Sequence, residues 1–409
     1  MISRERVEKA INFQPADRVP IDLGGMRSSG ISVKAYKQMK ERLGVKSKTK
    51  VFDTKLMIAV VEEEVRKRFH IDVVGMNLDS AIWWATNNEE AWVPKRLFDG
   101  NEVLFPPGTK IKEVENGDWI LLNPDGSTTP YRMPKGGFYF DNTAFDKAKE
   151  KFNPDDFKPA ITIPDEDLKM LNRYGKHLYE NTEYAILGWG SGVCFLGLSL
   201  VDNVTLGRPT EWMMMLLTEK ETCHELMDRS VEASISCLKL IKDAVGDYCF
   251  AWGIAADDFG TQQREFVNPD LWAEMIKPHY KKLCEWIHKN TKWKTFLHSC
   301  GSIYNLIPHF IEAGVDILNP IQTSAANMDP ARLKKEFGKR IVFWGGGCDT
   351  QQILGNALPE EIDRHVKERL SIFAPGGGYV FNQIHNIQSN VPVDNIIAML
   401  DAAYKYGGY

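Results

Sequence analysis

The stretch "KTFLHSCGSIYNLIPHFIEAGVDILNPIQ", residues 294–322, holds two short apolar runs, each ending in residues of turns and chemistry rather than of strand cores. The first ends in His298 and Cys300, the second in Asn319 and Gln322, and an amphipathic segment lies between them. Two residues apart on a strand means one face, so His298 and Cys300 are neighbours whether the strand continues or turns. The same pattern recurs from about residue 180 onward in "YAILGWG", "YCFAWGIAADD", "IVFWGGGCDT" and "GYVFNQIHN". Helical stretches such as "PDLWAEMIKPHYKKLCEWIHKNT" and "PEEIDRHVKERLSIFA" separate the runs, with apolar residues three and four apart. Apolar strand, functional loop and helix in repetition is the signature of a parallel α/β protein. Two earlier units obey it: "RVPIDLGG" near the start, and "FHIDVVGMNLD" after a predicted helix "KLMIAVVEEEVRKR".

Eight candidate strands favour a closed (β/α)₈ TIM-type barrel over an open sheet. Such a barrel needs roughly 250 residues, so a chain of 409 carries an N-terminal extension and an insertion. Residues 85–160 are rich in Gly, Pro, Asn and Asp, and contain hairpin-like pieces, "DGNEVLF" and "GDWILLNPDGSTTPYRM". They are read as an insertion, or lid, within a single barrel domain over 1–409. No second domain, internal repeat or low-complexity tract is visible.

Composition narrows the function. With 43% hydrophobic and 26% charged residues and a net charge of -5, the chain reads as a soluble globular protein with no electrostatic reason to meet nucleic acid or an anionic membrane. No apolar stretch reaches the ~18 residues of a spanning helix, and the charged start "MISRERVEKAINFQPADRVP" reads as a capped amphipathic helix rather than a signal peptide. Seven thinly spread cysteines fit reduced thiols in a cytoplasm. No nucleophile elbow, phosphate loop or dinucleotide fingerprint is present, and "GWGSG" lacks the lysine and spacing of a phosphate cradle.

In a parallel barrel all strands end at one mouth, so residues distant in sequence converge there. His298, Cys300 and Cys348 would meet in this way, together with Asp257, Asp258, Asn319, Gln322, Asp349, Gln383 and His385. One imidazole and two thiolates suit Zn²⁺ with a fourth position open. The competing explanation is that the cysteines are small apolar core fillers, as Cys223, Cys237, Cys249, Cys284 and Cys194 are read to be. The Asp257–Asp258 doublet suits acid-base work, recognition of a polar substrate group, or a helix cap. Trp83, Trp84, Trp189, Trp252 and Trp344 suit a flat apolar substrate, or equally core and lid packing.

Taken together, "ADDFGTQ", "FLHSCGSI", "AGVDILNPIQ", "FWGGGCDTQ" and "PGGGYVFNQIHNIQ" resemble the uroporphyrinogen decarboxylase superfamily over nearly the whole chain. The resemblance implies the same (β/α)₈ barrel and two branches of chemistry. In the decarboxylases a strand-end aspartate binds pyrrole nitrogens, and its motif falls on Asp79. Their arginine-rich segment corresponds to "PIDLGGMRSSG", which offers only Arg27, and a tyrosine of theirs falls near Ser199. The other branch consists of methyltransferases that work with corrinoid proteins and carry an H-x-C…C zinc signature. His298, Cys300 and Cys348 match it.

The resemblance therefore implies a Zn²⁺-dependent methyltransferase of the O-demethylase type. It would move a methyl group between a small substrate, with a methyl ether favoured, and a corrinoid held by a separate protein, since the D-x-H-x-x-G corrinoid loop is absent here. Asp257, Asp258 and His385 would position substrate or shuttle a proton, and Asp79 would anchor a polar group. Trp83, Trp189, Trp252, Asn319, Gln322 and Gln383 would bind the substrate. The rival readings are a methylcorrinoid:thiol methyltransferase, a metal-free decarboxylase of a small acid using Asp79 and His385, and a binding protein on the same barrel. Expected partners are a corrinoid protein and a small methyl donor or acceptor, with room for a homodimer.

Overall fold

A computed structural model describes residues 1–86, 89–143, 154–157, 159, 162–190 and 209–409. Cys194 and Ser199 lie outside the described residues. The first elements after the N-terminal helices are an antiparallel pair, β1 (Val51–Asp53) and β2 (Ile58–Ala59). The barrel wall is a parallel sheet built from β3 (Val73–Met76), then, beyond the small sheets described below, β10 (Ala185–Gly188), β11 (Ala251–Ala256), β12 (Lys294–His298), β13 (Ile317–Asn319), β14 (Val342–Trp344) and β15 (Tyr379–Val380). These seven follow one another in chain order around the wall. The gap between β15 and β3 is closed by residues 20–22: Phe381 N donates to Pro20 O, Asp22 N to Phe381 O, and Asp72 N to Ile21 O. "RVPIDLGG" thus supplies the eighth strand, and the fold is a (β/α)₈-type barrel.

Strand alternation sorts the side chains into two cores. Val73, Ala185, Leu187, Ala251, Phe296, Ile317, Val342, Trp344 and Val380 fill the barrel interior, and the helix Ser3–Ile11 closes its lower end with Val7, Ala10 and Ile11. The intervening residues, among them Val74, Ile186, Trp252, Leu297, Leu318 and Phe343, face the surrounding helices. Each large apolar side chain so buried contributes about 1.5–3 kcal/mol. At the lower end Asp72, fully buried, accepts from Arg6 (2.6 Å), Arg18 (2.7 Å), Ser3 (2.8 Å) and the Ile21 N–H (2.8 Å). A buried carboxylate persists only when paired and hydrogen-bonded to this degree.

Two expectations change in detail. The predicted helix from Lys55 is helical only over Glu63–Arg68. Ile58 and Ala59 pair as β2 with β1, because "IAVV" satisfies its backbone better extended against Val51 than in a helix. The stretch from Pro269 forms two helices, Pro269–Met275 and Lys277–Asn290, with Pro278 in the first turn of the second. Between β3 and β10 the chain folds into a β4–β5 pair (Val93–Arg96, Glu102–Phe105) and a four-stranded antiparallel sheet, β6 to β9 (Lys110–Glu113, Trp119–Leu122, Thr128–Met133, Asp141–Asn142). No helix among the described residues is long and apolar enough to cross a membrane.

Candidate metal centre at the barrel mouth

His298 is the last residue of β12, on the same inward face as Phe296. Asn319 and Trp344 end β13 and β14 on that face too. Asn319 Nδ2 donates to Trp344 O at 2.9 Å, so its Oδ1 is left facing His298 Nδ1 at 2.6 Å. An amide oxygen can only accept, so His298 carries its proton on Nδ1 and presents a free lone pair on Nε2. That lone pair points toward Cys300, whose Sγ lies 3.4 Å away.

The loop carrying Cys300 is clamped from three sides. Cys300 N donates to Asp258 Oδ1 (2.9 Å), Gly301 N to Gln322 Oε1 (2.8 Å), and Phe259 N to Ser299 Oγ (3.0 Å). Gly301 has φ +91°, and a Cβ there would sit 2.2 Å from Gly260 O, so the two glycine backbones need each other's lack of a side chain. A bulge in β11 between Gly253 and Ala255 shifts its register so that Ala256 stands opposite His298, with the aspartate doublet following directly.

His298, Cys300 and His385 form one group, with all ligand atoms within 4.8 Å of one another. His385 follows β15, and its ring is 5.6 Å from that of His298. Its Nδ1 is engaged by Asn386 Oδ1, which leaves Nε2 free as at His298. An imidazole whose second nitrogen is tied to an acceptor is the usual arrangement of a metal-binding histidine. Burial is the largest influence on His298 and holds it neutral, below its ordinary pKa; His385 and Arg27 push the same way and Asp258 pushes back. Burial raises the Cys300 thiol, with Asp258 adding to it, so no cation among the described side chains favours the thiolate.

The structure brings only part of the predicted set together. Cys348 is fully buried after β14 and lies outside the group; burial raises its thiol, and the charges it feels are Asp349 and Arg369. Asp258 is at the rim, 3.8 Å from His298 Nε2 and 55% exposed. Asp257 turns the other way, buried, accepting from Tyr280 OH at 2.6 Å. Gln322, besides holding Gly301, donates to Gln262 at 3.1 Å, and Gln383 donates to Ser29 O and Gly30 O. Asn319, Gln322 and Gln383 are therefore spent on positioning other groups. Trp252 was expected at the substrate wall; it is fully buried on the outward face, stacked on Trp293, because alternation places Ala251 and Gly253 inward. Trp189 does pack with the barrel interior, edge-on to Phe296 at 5.6 Å. Trp83 lies on the helix Leu78–Thr86, as does the exposed Asp79 in its first turn, and neither belongs to the donor group.

Two residues on the mouth's floor escaped sequence reasoning. Asp22, at the end of the closing strand, is fully buried and accepts from Trp344 Nε1 (2.9 Å) and Gly25 N (2.8 Å). Asn382 donates to Asp22 O, while its buried Oδ1 has no hydrogen-bond partner among the described residues. The only signals were an aspartate and an asparagine at strand ends, and neither sits in a recognisable motif.

Fold and site define a (β/α)₈ barrel with an imidazole–thiol donor group at its C-terminal mouth. Residues 141–406, more than half of the chain, match the family model described as Uroporphyrinogen decarboxylase (URO-D), and the chain belongs to that family. It is 24% identical over 204 residues to the uroporphyrinogen decarboxylase of Anaeromyxobacter dehalogenans, covering 48% of this chain and 52% of that one. Over such matches the chain spans about half the length of its curated relatives. A longer match, to the uroporphyrinogen decarboxylase of Alkalilimnicola ehrlichii, is 21% identical over 416 residues and covers 99% and 94% of the two chains. Among solved structures, a methyltransferase from Methanosarcina mazei superimposes with a TM-score of 0.55 at 15% identity, covering 99% of both chains, a likeness of fold.

Proposed function

We propose that this chain is a zinc-dependent methyltransferase that moves a methyl group between a small methylated substrate, with a methyl ether favoured, and a corrinoid carried by a separate protein. The observation that carries the reading is the donor group itself. Ligand bond lengths of about 2.0 Å to nitrogen and 2.3 Å to sulfur put two tetrahedral ligands about 3.5 Å apart, and His298 Nε2 and Cys300 Sγ are 3.4 Å apart. His298 and Cys300 are common to two donor sets: His385 joins them on geometry, and Cys348 joins them on the family resemblance. Zinc bound there would stabilise a departing oxygen as a Lewis acid, or hold a thiol as its thiolate.

The chain's own residues supply the rest. Asn319 and Asn386 fix the imidazole tautomers. Asp258, exposed at the rim, is placed to pass a proton to a departing oxygen, or in the rival reaction to take one from an entering thiol. Asn382 Oδ1 offers an acceptor on the floor, and Trp189 offers an apolar edge. With two neutral imidazoles and one thiolate the site would carry a net charge of +1, which favours departure of an anionic oxygen. The set with Cys348 would be neutral and favours the thiol-methylating rival.

Family membership also favours a second reading, decarboxylation of a small acid from Asp79. The cations felt by that carboxyl are Arg27 and Lys55. We would separate the two by metal analysis of protein purified without added metal, for wild type and for Cys300→Ser, Cys348→Ser and His385→Ala. About one zinc per chain, lost in Cys300→Ser, is expected, and whichever other variant loses it names the third ligand. Wild type without zinc that also fails to take it up on titration overturns the methyltransferase reading. Methyl-ether screening with corrinoid proteins follows a positive result.

A further inference from the structure

A cavity of about 490 Å³ lies on the outer side of the barrel, between β3, the β1–β2 pair and the helices Leu78–Thr86 and Asp165–Asn181. None of His298, Cys300, His385 and Cys348 lines it. Its size is that of a small-molecule site. Six aromatic side chains line it, Tyr184 among them: Trp83 stands edge-on to Phe52 at 6.0 Å and to Trp92 at 5.8 Å, and Trp84 tilts against Tyr174 at 5.5 Å. Among the described residues, the charged side chains lining it are Lys50 and Arg66, both cations. Lys50 Nζ lies 5.1 Å from the Trp92 ring centre, and Arg66 lies 5.2 Å from the Tyr184 ring. Glu63, which does not line the cavity, pairs with Arg66 Nε and Nη2 at 3.4 and 3.3 Å, and Arg66 Nη1 donates to Val61 O at 2.5 Å, so the remaining N–H groups are those a ligand would use. Ser80, Thr182 and Tyr184 also line it; the Thr182 hydroxyl donates to Leu178 O at 2.6 Å and the Tyr184 hydroxyl to Glu63 at 3.0 Å.

We propose that this cavity is a second ligand site, separate from the mouth, that takes a planar aromatic carboxylate. Its ring would lie among Trp83, Trp84 and Tyr174, where aromatic faces and edges complement it. Its carboxylate would meet Lys50 and Arg66, since charge-assisted bonds to such cations are stronger than neutral ones. The helix Leu78–Thr86 carries two of the walls and begins directly after β3, so an occupant would brace the rim of the mouth from outside. This site stands whether or not methyl transfer is the reaction.

The test is binding of benzoate and naphthoate to the full chain, read by calorimetry and by quenching of tryptophan fluorescence, with naphthol as the uncharged control. Naphthoate is expected to bind and quench, and naphthol to bind more weakly. Lys50→Met should weaken naphthoate by at least about tenfold, and Ser80→Phe, which fills the cavity, should abolish binding. Cys300→Ser should leave binding unchanged, which keeps this result independent of the metal centre. Far-UV circular dichroism and thermal melts establish that each variant is folded, and the two cavity variants serve as alternates. The proposal is overturned if wild type binds neither acid at millimolar concentration, if both cavity variants bind as wild type does, or if Cys300→Ser loses the ligand.

Discussion

Replacing Asn319 by leucine tests the metal centre without touching a ligand. Asn319 is fully buried and makes two bonds: it donates to Trp344 O at 2.9 Å and receives the His298 Nδ1 proton at 2.6 Å. Leucine keeps the volume and removes both. The stranded Trp344 carbonyl costs about 1–3 kcal/mol of stability. The separate effect falls on His298, whose ring loses its tautomer lock and the acceptor that raises its basicity. Loss of such a partner weakens metal binding by about 10–100-fold, or about 1.4–2.7 kcal/mol. Zinc affinity is read at pH 7.5 by competition with a chromogenic chelator. The control is Thr295→Val, which keeps the shape but removes the buried hydroxyl that donates to Gly314 O at 2.7 Å, at the end of β12 away from the mouth. Both variants should lose stability, and only Asn319→Leu should lose zinc. Equal zinc affinity in Asn319→Leu and wild type, or an equal loss in the two variants, would refute the assignment of Asn319 as the group that aims His298.

Three further outcomes follow from the geometry. Burial pushes the Asp22 carboxyl up to about 6 against the pull of Trp344, Gly25 and Ser29, so the folded state holds that proton more tightly than the unfolded chain. The stability this contributes is complete below about pH 4 and is lost as pH rises through 6, a change of about 3 kcal/mol; urea melts of Asp22→Asn should gain on wild type by up to that amount between pH 4 and 7, and a flat difference would sink the assignment. Asp72→Ala leaves Arg6 and Arg18 facing each other without their shared carboxylate and should cost about 3–5 kcal/mol in denaturant melts, with zinc affinity unchanged. Gly301→Ala forces a side chain into a left-handed backbone and onto Gly260 O; it should lower both the melting temperature and the zinc affinity, and a variant matching wild type in both would show that the loop has slack not seen here.

The strands were legible because each is a short apolar run stopped by a turn-forming or polar residue, and that pattern depends on local sequence alone. The mouth residues were legible as a set for the same reason. What each does there was not, since it depends on which strand lies alongside. Asn319, Gln322 and Gln383 look like ligand-binding amides until the neighbouring carbonyls and loops that use them are in place. Trp252 was assigned to the wrong side although its flanking residues, Ala251 and Gly253, already marked the cramped interior face. His385 joins His298 and Cys300 only because closure of the barrel brings the end of β15 within reach of β12, a distance no spacing rule contains. The segment from Lys55 to Val61 misled because its residues fit a helix and a strand equally well, and the partner strand decided the matter.

Closure by residues 20–22 also sets an order in time. Asp22 O is bonded by Asn382, 360 residues further along the chain. At about 5–20 residues per second, the first strand to leave a ribosome would wait roughly 20–70 s for its second neighbour to be made. Through that interval the growing sheet has two open edges, at residues 20–22 and at whichever strand was made last. The barrel therefore passes through a long open-sided phase on the ribosome, in which a helper that shields sheet edges would matter more than it does for the finished molecule.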